Sequence, residues 1–194
     1  MKTVDARGLT CPQPVVLTKR EFDQGAAEIT TLVDNEAACE NLTRLGQSLG
    51  CEVMVNTEKD GYSVILSRNT DEAVVGRVEV LPTANDVVLI ASEYFGRGEA
   101  ELGAVVMKSF LYALNEAPER VKTMIFMNSG VKLVSEGSPV IDLLQSIAGK
   151  GIEVYACGTC LDFHHLKEHL AVGKITNMYS ALEMMQQAGK VLTV

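Results

Sequence analysis

The first third of the chain alternates short apolar segments with two amphipathic segments of helical periodicity. Pro12 suits the first turn of a helix, Gly25 suits its end, and Asn35 can cap a second helix. The segment KDG at 59–61 separates two apolar runs, as a hairpin turn does. The resulting β-α-β-α-β-β order predicts a small two-layer sandwich with both helices on one face of the sheet. The predicted elements are a strand at 2–6, a helix at 12–24, a strand at 28–33, a helix at 35–50 and strands at 51–58 and 62–66.

From Asp86 onward the pattern changes to a longer alternation of strands and helices. Several runs are apolar enough for strands that are buried on both faces. One helix is expected to open at Ser138-Pro139, where a capping residue precedes a proline. This alternation predicts a doubly wound, mainly parallel α/β domain. The predicted strands lie at 87–91, 121–127, 152–156 and 191–194, and the helices at 99–115, from 138 onward, at 162–170 and at 177–188.

The change of pattern divides the chain into two predicted domains. The first covers residues 1–68 and the second covers residues 86–194, with a connector at 69–85. The connector contains several valines that could pack against a domain, so it does not have the composition of a flexible linker.

Composition and charge exclude several classes of partner. Of the 194 residues, 47% are hydrophobic and 22% are charged, which is ordinary for a globular protein. The chain has 17 Lys and Arg against 25 Asp and Glu, a formal charge of −8. Nucleic acids and anionic membranes need a basic surface, so we expect neither as a partner. No run approaches the roughly 18 apolar residues of a membrane span, and the N-terminus lacks the apolar core of a signal peptide. A cytoplasmic protein is therefore expected.

The five cysteines are the main candidates for chemistry. Their odd number and uneven spacing do not suit the disulfide framework of a secreted protein. Cys39 and Cys51 are expected to be packing residues of the first domain. The other three are Cys11, Cys157 and Cys160.

Cys11 lies where a loop turns into the first predicted helix. Pro12 and Pro14 fix φ in the first turn, which is expected to bring unpaired N–H groups and the positive end of the helix dipole near the sulfur. Such an environment favours the thiolate and therefore nucleophilic attack on sulfur. The residues alone are equally compatible with a buried, inert cysteine that happens to precede a proline.

Cys157 and Cys160 form a Cys-x-x-Cys pair between a predicted strand and a predicted helix. Ligand-binding and catalytic groups gather at the carboxyl edge of an open α/β sheet. The pair can close into a disulfide, and we expect Cys157 to attack and Cys160 to resolve the product. Gly158 and Thr159 separate the two thiols and are expected to support them. Inert packing of both thiols is the simplest alternative.

A metal site is a further alternative for the Cys-x-x-Cys pair. His164, His165 and His169 follow it, and the last two would share one face of the predicted helix. The four residues between Cys160 and His165 fall well short of the roughly 12–15 that are usual in Cys2His2 fingers. We therefore expect neither a metal nor a cofactor at the main site, while metal binding by the pair stays open.

The segment DARGLTCPQP at 5–14, with Lys19 further along, resembles the signature of the TusA/SirA family of small sulfur-carrier proteins. The resemblance covers roughly residues 1–68 and implies a two-layer α/β fold. It also implies that Cys11 carries a persulfide or perselenide, in a loop supported by Gly8, Pro12 and Pro14.

The second domain resembles the DsrE-like domain of the YedF family of selenium metabolism proteins. The resemblance lies in NSGVKL at 128–133, CGTCLDF at 157–163, VG at 172–173 and NMY at 177–179. With the TusA-like unit in front, the domain order matches that family over nearly the whole chain. The resemblance implies a sulfur-relay component that forms a trimer or hexamer through its DsrE-like domain, and it implies no settled reaction.

The sequence therefore predicts a sulfur or selenium carrier with sulfurtransferase-like chemistry. A cysteine desulfurase-like donor would load Cys11, which would pass the persulfide or perselenide to the Cys157–Cys160 pair or to an accepting protein. The alternative is a non-catalytic regulatory module whose cysteines sense redox state or hold zinc.

Overall fold

The computed structural model describes residues 2–68 and 85–194. The chain divides into two compact units, Met1–Val78 and Glu79–Val194. Of the predicted connector at 69–85, all but Asn85 lies outside the described residues. Each unit has its own sheet and its own hydrophobic core.

Residues 2–68 form a four-stranded sheet with two helices. The elements are β1 (Lys2–Asp5), α1 (Gln13–Asp23), β2 (Glu28–Val33), α2 (Glu36–Ser48), β3 (Cys51–Glu58) and β4 (Gly61–Arg68). The strand order is β1-β2-β4-β3, in which β1 and β2 are parallel and the other two pairings are antiparallel. The predicted β-α-β-α-β-β order is confirmed. Asn35 caps α2 as predicted, because its side chain accepts a hydrogen bond from the Ala38 N–H at 2.9 Å.

The core of the N-terminal unit lies between the two helices and the sheet. Alternate residues of β2 and β4 point toward the helices, because side chains of a strand alternate between its faces. Burying each large apolar side chain stabilises the unit by about 1.5–3 kcal/mol. The members that are at most 1% exposed include Phe22 of α1, Ile29 and Val33 of β2, Leu42 of α2, and Val64 and Leu66 of β4.

Residues 85–194 form a five-stranded sheet with the order β8-β7-β6-β5-β9, and every pairing is parallel. The elements are β5 (Asp86–Ile90), α3 (Ala100–Glu116), β6 (Val121–Phe126), the 3₁₀ helix Asn128–Val134, α4 (Ile141–Gly149), β7 (Glu153–Cys157), α5 (Gly158–Phe163), the 3₁₀ helix Lys167–His169, β8 (Lys174–Thr176), α6 (Met178–Gln187) and β9 (Val191–Thr193).

Helices cover both faces of this parallel sheet. Alternate residues of β5 and β6 belong to two separate apolar clusters, one with α3 and α4 and the other with α6. The predicted doubly wound, mainly parallel domain is therefore confirmed. On one face Val88, Ile90, Met124 and Phe126 pack with Met107, Leu111, Leu144 and Ile147, and on the other Val87 and Ile125 pack with Ala181.

The prediction of a helix at 162–170 is wrong. α5 begins at Gly158, because Cys157 ends β7 in an extended conformation and is itself the N-cap of the helix. His165 has a left-handed φ of 57°, which a continuous α-helix excludes. His165 and His169 therefore do not share a face of one α-helix.

The helix predicted from Ser138-Pro139 begins later, at Ile141. The Ser138 hydroxyl oxygen accepts a hydrogen bond from the Val140 N–H at 3.3 Å within the preceding turn, so it does not cap α4. The sequence pattern also does not predict the 3₁₀ helix Asn128–Val134 or the strand β8. Both are too short for a hydrophobic repeat to stand out from its surroundings.

A pair of glycine substitutions tests the packing of the sheet around β7. Gly173 has φ of +93°, and a Cβ there would lie 2.5 Å from the Val154 carbonyl oxygen. Gly137 has φ of +80°, but a Cβ there would meet nothing within 4 Å. Both alanine variants introduce left-handed strain of about 1 kcal/mol, whereas only Gly173→Ala adds a backbone clash. We expect Gly173→Ala to lower the free energy of unfolding by about 3 kcal/mol and Gly137→Ala by about 1 kcal/mol.

Urea denaturation of the full chain, followed by circular dichroism, measures both losses. Equal losses in the two variants would contradict the close approach of residue 173 to β7.

Candidate functional site

Cys11 is exposed and lies two residues before Gln13, the first residue of α1. Pro12 is the N-cap, and the Cys11–Pro12 peptide bond is cis. Pro12 and Pro14 have no N–H, and the Gln13 N–H donates to the Thr10 carbonyl oxygen at 2.9 Å. We expected unpaired N–H groups near the Cys11 sulfur. None of the residues 12–14 provides one, so the expectation is wrong for these residues. Exposure nevertheless leaves the Cys11 thiol accessible to a partner.

A groove of about 290 Å³ opens beside Cys11, between its loop and the first turns of α1 and α2. The wall of this Cys11 groove is mainly apolar, but the Asn41 Nδ2 donates a hydrogen bond to the Cys11 Sγ at 3.7 Å. The sequence pattern does not predict Asn41, because spacing within α2 does not reveal that this helix faces the Cys11 loop. The remaining lining residues are Leu9, Thr10, Pro14, Val15, Asn35, Ala37 and Ala38.

The loop before Cys11 is held by two carboxylates. The Gly8 N–H donates to Asp34 Oδ2 at 2.6 Å, and the Asn35 side-chain amide donates to Asp34 Oδ1 at 2.9 Å. These hydrogen bonds hold the pKa of Asp34 below its usual value. The Arg7 guanidinium donates two hydrogen bonds to Asp5, at 2.8 and 2.6 Å, and the Arg7 N–H donates a third at 3.2 Å; together they lower the pKa of Asp5 to about 2. Gly8 has φ of +73°, a conformation that suits glycine, so its place in the motif has a conformational reason.

The start of α1 is fixed to the sheet by a buried pair of hydroxyl groups. The Thr18 hydroxyl donates to the Pro14 carbonyl oxygen at 2.8 Å and lies 2.7 Å from the Thr31 hydroxyl oxygen of β2. Thr18 and Thr31 are completely buried. Pro14 therefore belongs to a rigid first turn on which the Cys11 loop ends.

The Cys157–Cys160 pair lies at the carboxyl end of β7. Cys157 is 6% exposed, and Cys160 is half-buried in the first turn of α5. The Asn128 N–H, which follows β6, donates to the Cys160 Sγ at 3.1 Å. Burial and the hydrogen bond with Cys157 raise the pKa of Cys160, while the Asn128 N–H acts in the opposite direction. The structure thus brings the two predicted thiols together with a backbone donor that spacing alone does not identify.

Gly158 and Thr159 have different surroundings. A Cβ on Gly158 would lie 3.0 Å from Ile175 Cγ2 and 3.6 Å from the Thr176 carbonyl oxygen, so β8 passes close to the start of α5. Thr159 is exposed. Gly158 therefore allows β8 to approach the start of α5, whereas the contacts give Thr159 no comparable role.

Within residues 2–68 and 85–194, no group of three or more His, Cys, Asp or Glu side chains is placed to hold a metal ion. His169 Nδ1 instead lies 2.8 Å from Glu136 Oε2. Cys39 and Cys51 lie in and against the core of the N-terminal unit, where burial raises the pKa of both thiols.

Residues 85–194, more than half of the chain, match the family model of the DsrE/DsrF-like family. The chain belongs to the DsrE/DsrF-like family. Residues 2–68 match the family model of the sulfurtransferase TusA. A TusA-like domain is thus followed by a DsrE-like domain. Both are sulfur-relay families, whose members usually interact with sulfur donors and acceptors.

Among the proteins that are similar to this chain, three cover different shares of it. An uncharacterized protein of Methanocaldococcus jannaschii is 22% identical over 183 residues, which cover 86% of this chain and 63% of that protein. The chain thus spans less than two thirds of the length of this relative. The SirA-like protein of Desulfitobacterium hafniense is 30% identical, over 36% of this chain and 99% of its own, with a TM-score of 0.34. The ychN protein of E. coli is 18% identical, over 57% of this chain and 99% of its own, with a TM-score of 0.45.

Among the helices of the two described ranges, none has the length and apolar character needed to cross a membrane.

The Gly8–Asp34 hydrogen bond predicts a coupled titration. Because the pKa of Asp34 is depressed, the bond stabilises the Cys11 loop fully above the unfolded value of about 3.9 and is lost as the pH falls through the lower folded value. We expect the Gly8 amide resonance to titrate with the same low midpoint as the Asp34 carboxyl group in an NMR titration of the full chain.

Asp34→Asn should abolish this titration of Gly8, whereas Asp60→Asn, which removes another exposed carboxylate, should leave it intact. A Gly8 amide that titrates identically in both variants would rule out Asp34 as its partner.

Proposed function

We propose that this protein is a two-site sulfur relay, in which Cys11 receives a persulfide and passes it to the Cys157–Cys160 pair. The observation that carries the proposal is an exposed cysteine beside a groove, in the domain that matches the TusA family. A carrier thiol must be reached by two partners in turn, and exposure provides that access. The matches at 2–68 and 85–194 support our division into domains at 1–68 and 86–194.

The first step loads Cys11 from a donor of the cysteine desulfurase type. The Cys11 thiolate attacks the outer sulfur of the donor's persulfide, the donor's S–S bond breaks, and the donor cysteine leaves as a thiolate. One S–S bond replaces another, so there is no net oxidation. The Asn41 amide and the apolar wall of the Cys11 groove are placed to hold the outer sulfur.

The second step moves the outer sulfur to the DsrE-like domain. The Cys157 thiolate attacks the outer sulfur of the Cys11 persulfide, and Cys11 leaves as a thiolate. Cys160 then attacks the Cys157 Sγ, the bond between this Sγ and the outer sulfur breaks, and the outer sulfur leaves with the Cys160 proton as hydrosulfide. The product is a Cys157–Cys160 disulfide, which a dithiol reductant must reduce before the next cycle. The raised pKa of Cys160 supports its role as the proton-bearing, resolving thiol.

The same steps can move selenium, with a perselenide in place of the persulfide. The resemblance of NSGVKL at 128–133 and CGTCLDF at 157–163 to the YedF family supports selenium as a cargo. We place the relay in the cytoplasm, where thiols stay reduced, and propose that the DsrE-like domain assembles as a trimer or hexamer. Delivery from Cys11 directly to an accepting protein would use the same exchange chemistry.

Loading by a cysteine desulfurase with cysteine as the substrate tests the proposal. Peptide mass spectrometry should find one added sulfur atom on Cys11, and Cys11→Ser should abolish it, because no other thiol replaces the carrier. Cys39→Ser is the matched control and should leave the loading unchanged. Selenocysteine as the substrate should add one selenium atom at the same residue if selenium is a cargo.

Two further variants separate the steps. The Cys11 persulfide should accumulate in Cys157→Ser, whereas Cys160→Ser should accumulate the persulfide on Cys157. A full chain that acquires no sulfur on Cys11, while a known carrier protein is loaded in the same reaction, would refute the relay.

A further inference from the structure

The chain turns sharply where β6 leads into the 3₁₀ helix Asn128–Val134, and we refer to residues 127–130 as the β6 turn. Met127 is still extended, with φ of −131° and ψ of 166°, whereas Asn128 has a left-handed φ of 50°. Asparagine adopts this conformation more readily than most residues other than glycine. In this conformation the Asn128 N–H points at the thiol pair and donates to the Cys160 Sγ at 3.1 Å.

The β6 turn is fixed by contacts with β5 and with the loop that follows β5. The Met127 N–H donates to the Ile90 carbonyl oxygen, and the Gly130 N–H donates to the Met127 carbonyl oxygen, both at 2.9 Å. A Cβ on Gly130 would lie 2.5 Å from the Ile90 carbonyl oxygen, so this approach requires glycine. Ser129 Oγ accepts from the Glu93 N–H at 3.2 Å. The N–H that faces the sulfur is therefore held by backbone contacts on both sides.

The hydrogen bond from Asn128 distinguishes the two redox states of the thiol pair. In the reduced pair the Cys160 Sγ accepts from Asn128 and is also hydrogen-bonded with Cys157. A thiol or thiolate sulfur carries more negative charge than a disulfide sulfur, so it is the better acceptor. A pair whose reduced form is stabilised has a higher reduction potential. We propose that the Asn128 N–H favours the reduced state of the Cys157–Cys160 pair and so raises its reduction potential.

The inference rests on the proposed relay for its role, since each cycle leaves a Cys157–Cys160 disulfide that a dithiol reductant must reduce. The first reductant thiolate attacks the Cys160 Sγ, which is less buried than Cys157, and Cys157 leaves as a thiolate. The second reductant thiolate attacks the reductant sulfur that is bound to Cys160, and Cys160 leaves as a thiolate. Two electrons pass to the pair, the two reductant protons move to the two cysteines, and the reductant becomes a disulfide.

The Asn128 N–H faces Cys160 at the point where this cysteine leaves as an anion. Hydrogen bonds to ionised acceptors are the stronger ones, so the contact strengthens as charge develops on the sulfur. The same N–H lowers the pKa of Cys160, in opposition to burial and to Cys157. Asn128 acts here through its backbone, and its side chain matters because asparagine permits the left-handed conformation.

Reduction potentials of the full chain in glutathione buffers test the inference. Asn128→Pro removes the N–H, and the extended Met127 already has the conformation that a residue before proline prefers. We expect its equilibrium constant for reduction to fall about fivefold, which lowers the potential by about 20 mV. Asn128→Gly keeps the N–H and tolerates a left-handed φ, so its equilibrium constant should stay within about twofold of the wild-type value.

Ala171→Pro is the matched control for the loss of a backbone donor. Ala171 also follows an extended residue, Leu170, and its N–H donates to the Val134 carbonyl oxygen at 2.9 Å, not to a sulfur. The variant therefore removes a backbone hydrogen bond from the same domain without touching the thiol pair. Its reduction potential should match that of the wild type.

Amide hydrogen exchange of the wild-type chain gives a second measurement that needs no variant. If the hydrogen bond favours the reduced state about fivefold, linkage requires the Asn128 N–H to be protected about fivefold more in the reduced chain than in the oxidised chain. The Gly130 N–H, which donates to a carbonyl oxygen, should exchange equally in both states.

Equal protection of the Asn128 N–H in the two states would overturn the inference, even if Asn128→Pro fails to fold. A folded Asn128→Pro chain with the wild-type potential would also overturn it, as would an equal fall in Asn128→Gly or Ala171→Pro. Because none of these measurements involves a persulfide, a chain that loads Cys11 but fails them would reject the role of Asn128 and leave the relay standing.

Discussion

The junction between β7 and α5 has no connecting residue, since Cys157 is both the last residue of the strand and the N-cap of the helix. This junction places Cys160 in the first turn of α5, where the two side chains meet. A parallel sheet also brings the end of β6 to the same edge, and so the Asn128 N–H reaches the Cys160 sulfur at 3.1 Å. Gly158 completes the arrangement, because its missing Cβ lets β8 pass close to the helix start.

The two proposed thiol sites differ in ways that suit different tasks. Cys11 is exposed, on a loop that the Gly8–Asp34 hydrogen bond and the rigid first turn of α1 hold at both ends. Cys157 is nearly buried, and its partner Cys160 has a raised pKa. An accessible thiol suits exchange with other proteins, whereas a sheltered thiol beside a protonated partner suits resolution of a persulfide. Our proposal assigns these tasks accordingly.

Much of the fold could be predicted because strand and helix periodicities are strong in this chain. Asn35 caps α2, and the hairpin at 59–61 joins β3 and β4 as expected. The start of α5 could not be predicted, because a helix that begins directly on a strand residue has no separate capping signal. The left-handed conformation of His165 depends on tertiary context, which the local sequence does not reveal. The expectation that His165 and His169 share one helix face was wrong for this reason.

The residues of the two candidate sites also differ in whether the sequence could predict them. The position of Cys11 before a helix and the carboxyl-edge position of Cys157 follow from local pattern and sheet topology. Asn41 and the Asn128 N–H belong to segments distant in sequence from the cysteines they contact, and only tertiary packing brings them there.

A single-turnover transfer measurement tests the central claim most directly. The full chain is loaded on Cys11 with a heavy sulfur isotope, freed of donor, and sampled over time by mass spectrometry. The relay predicts that the label on Cys11 decreases while labelled sulfide and the Cys157–Cys160 disulfide increase in equal amounts. In Cys157→Ser, the label should stay on Cys11. Loss of the label at the same rate in Cys157→Ser, or a label that stays on Cys11 beside a reduced pair, would contradict it.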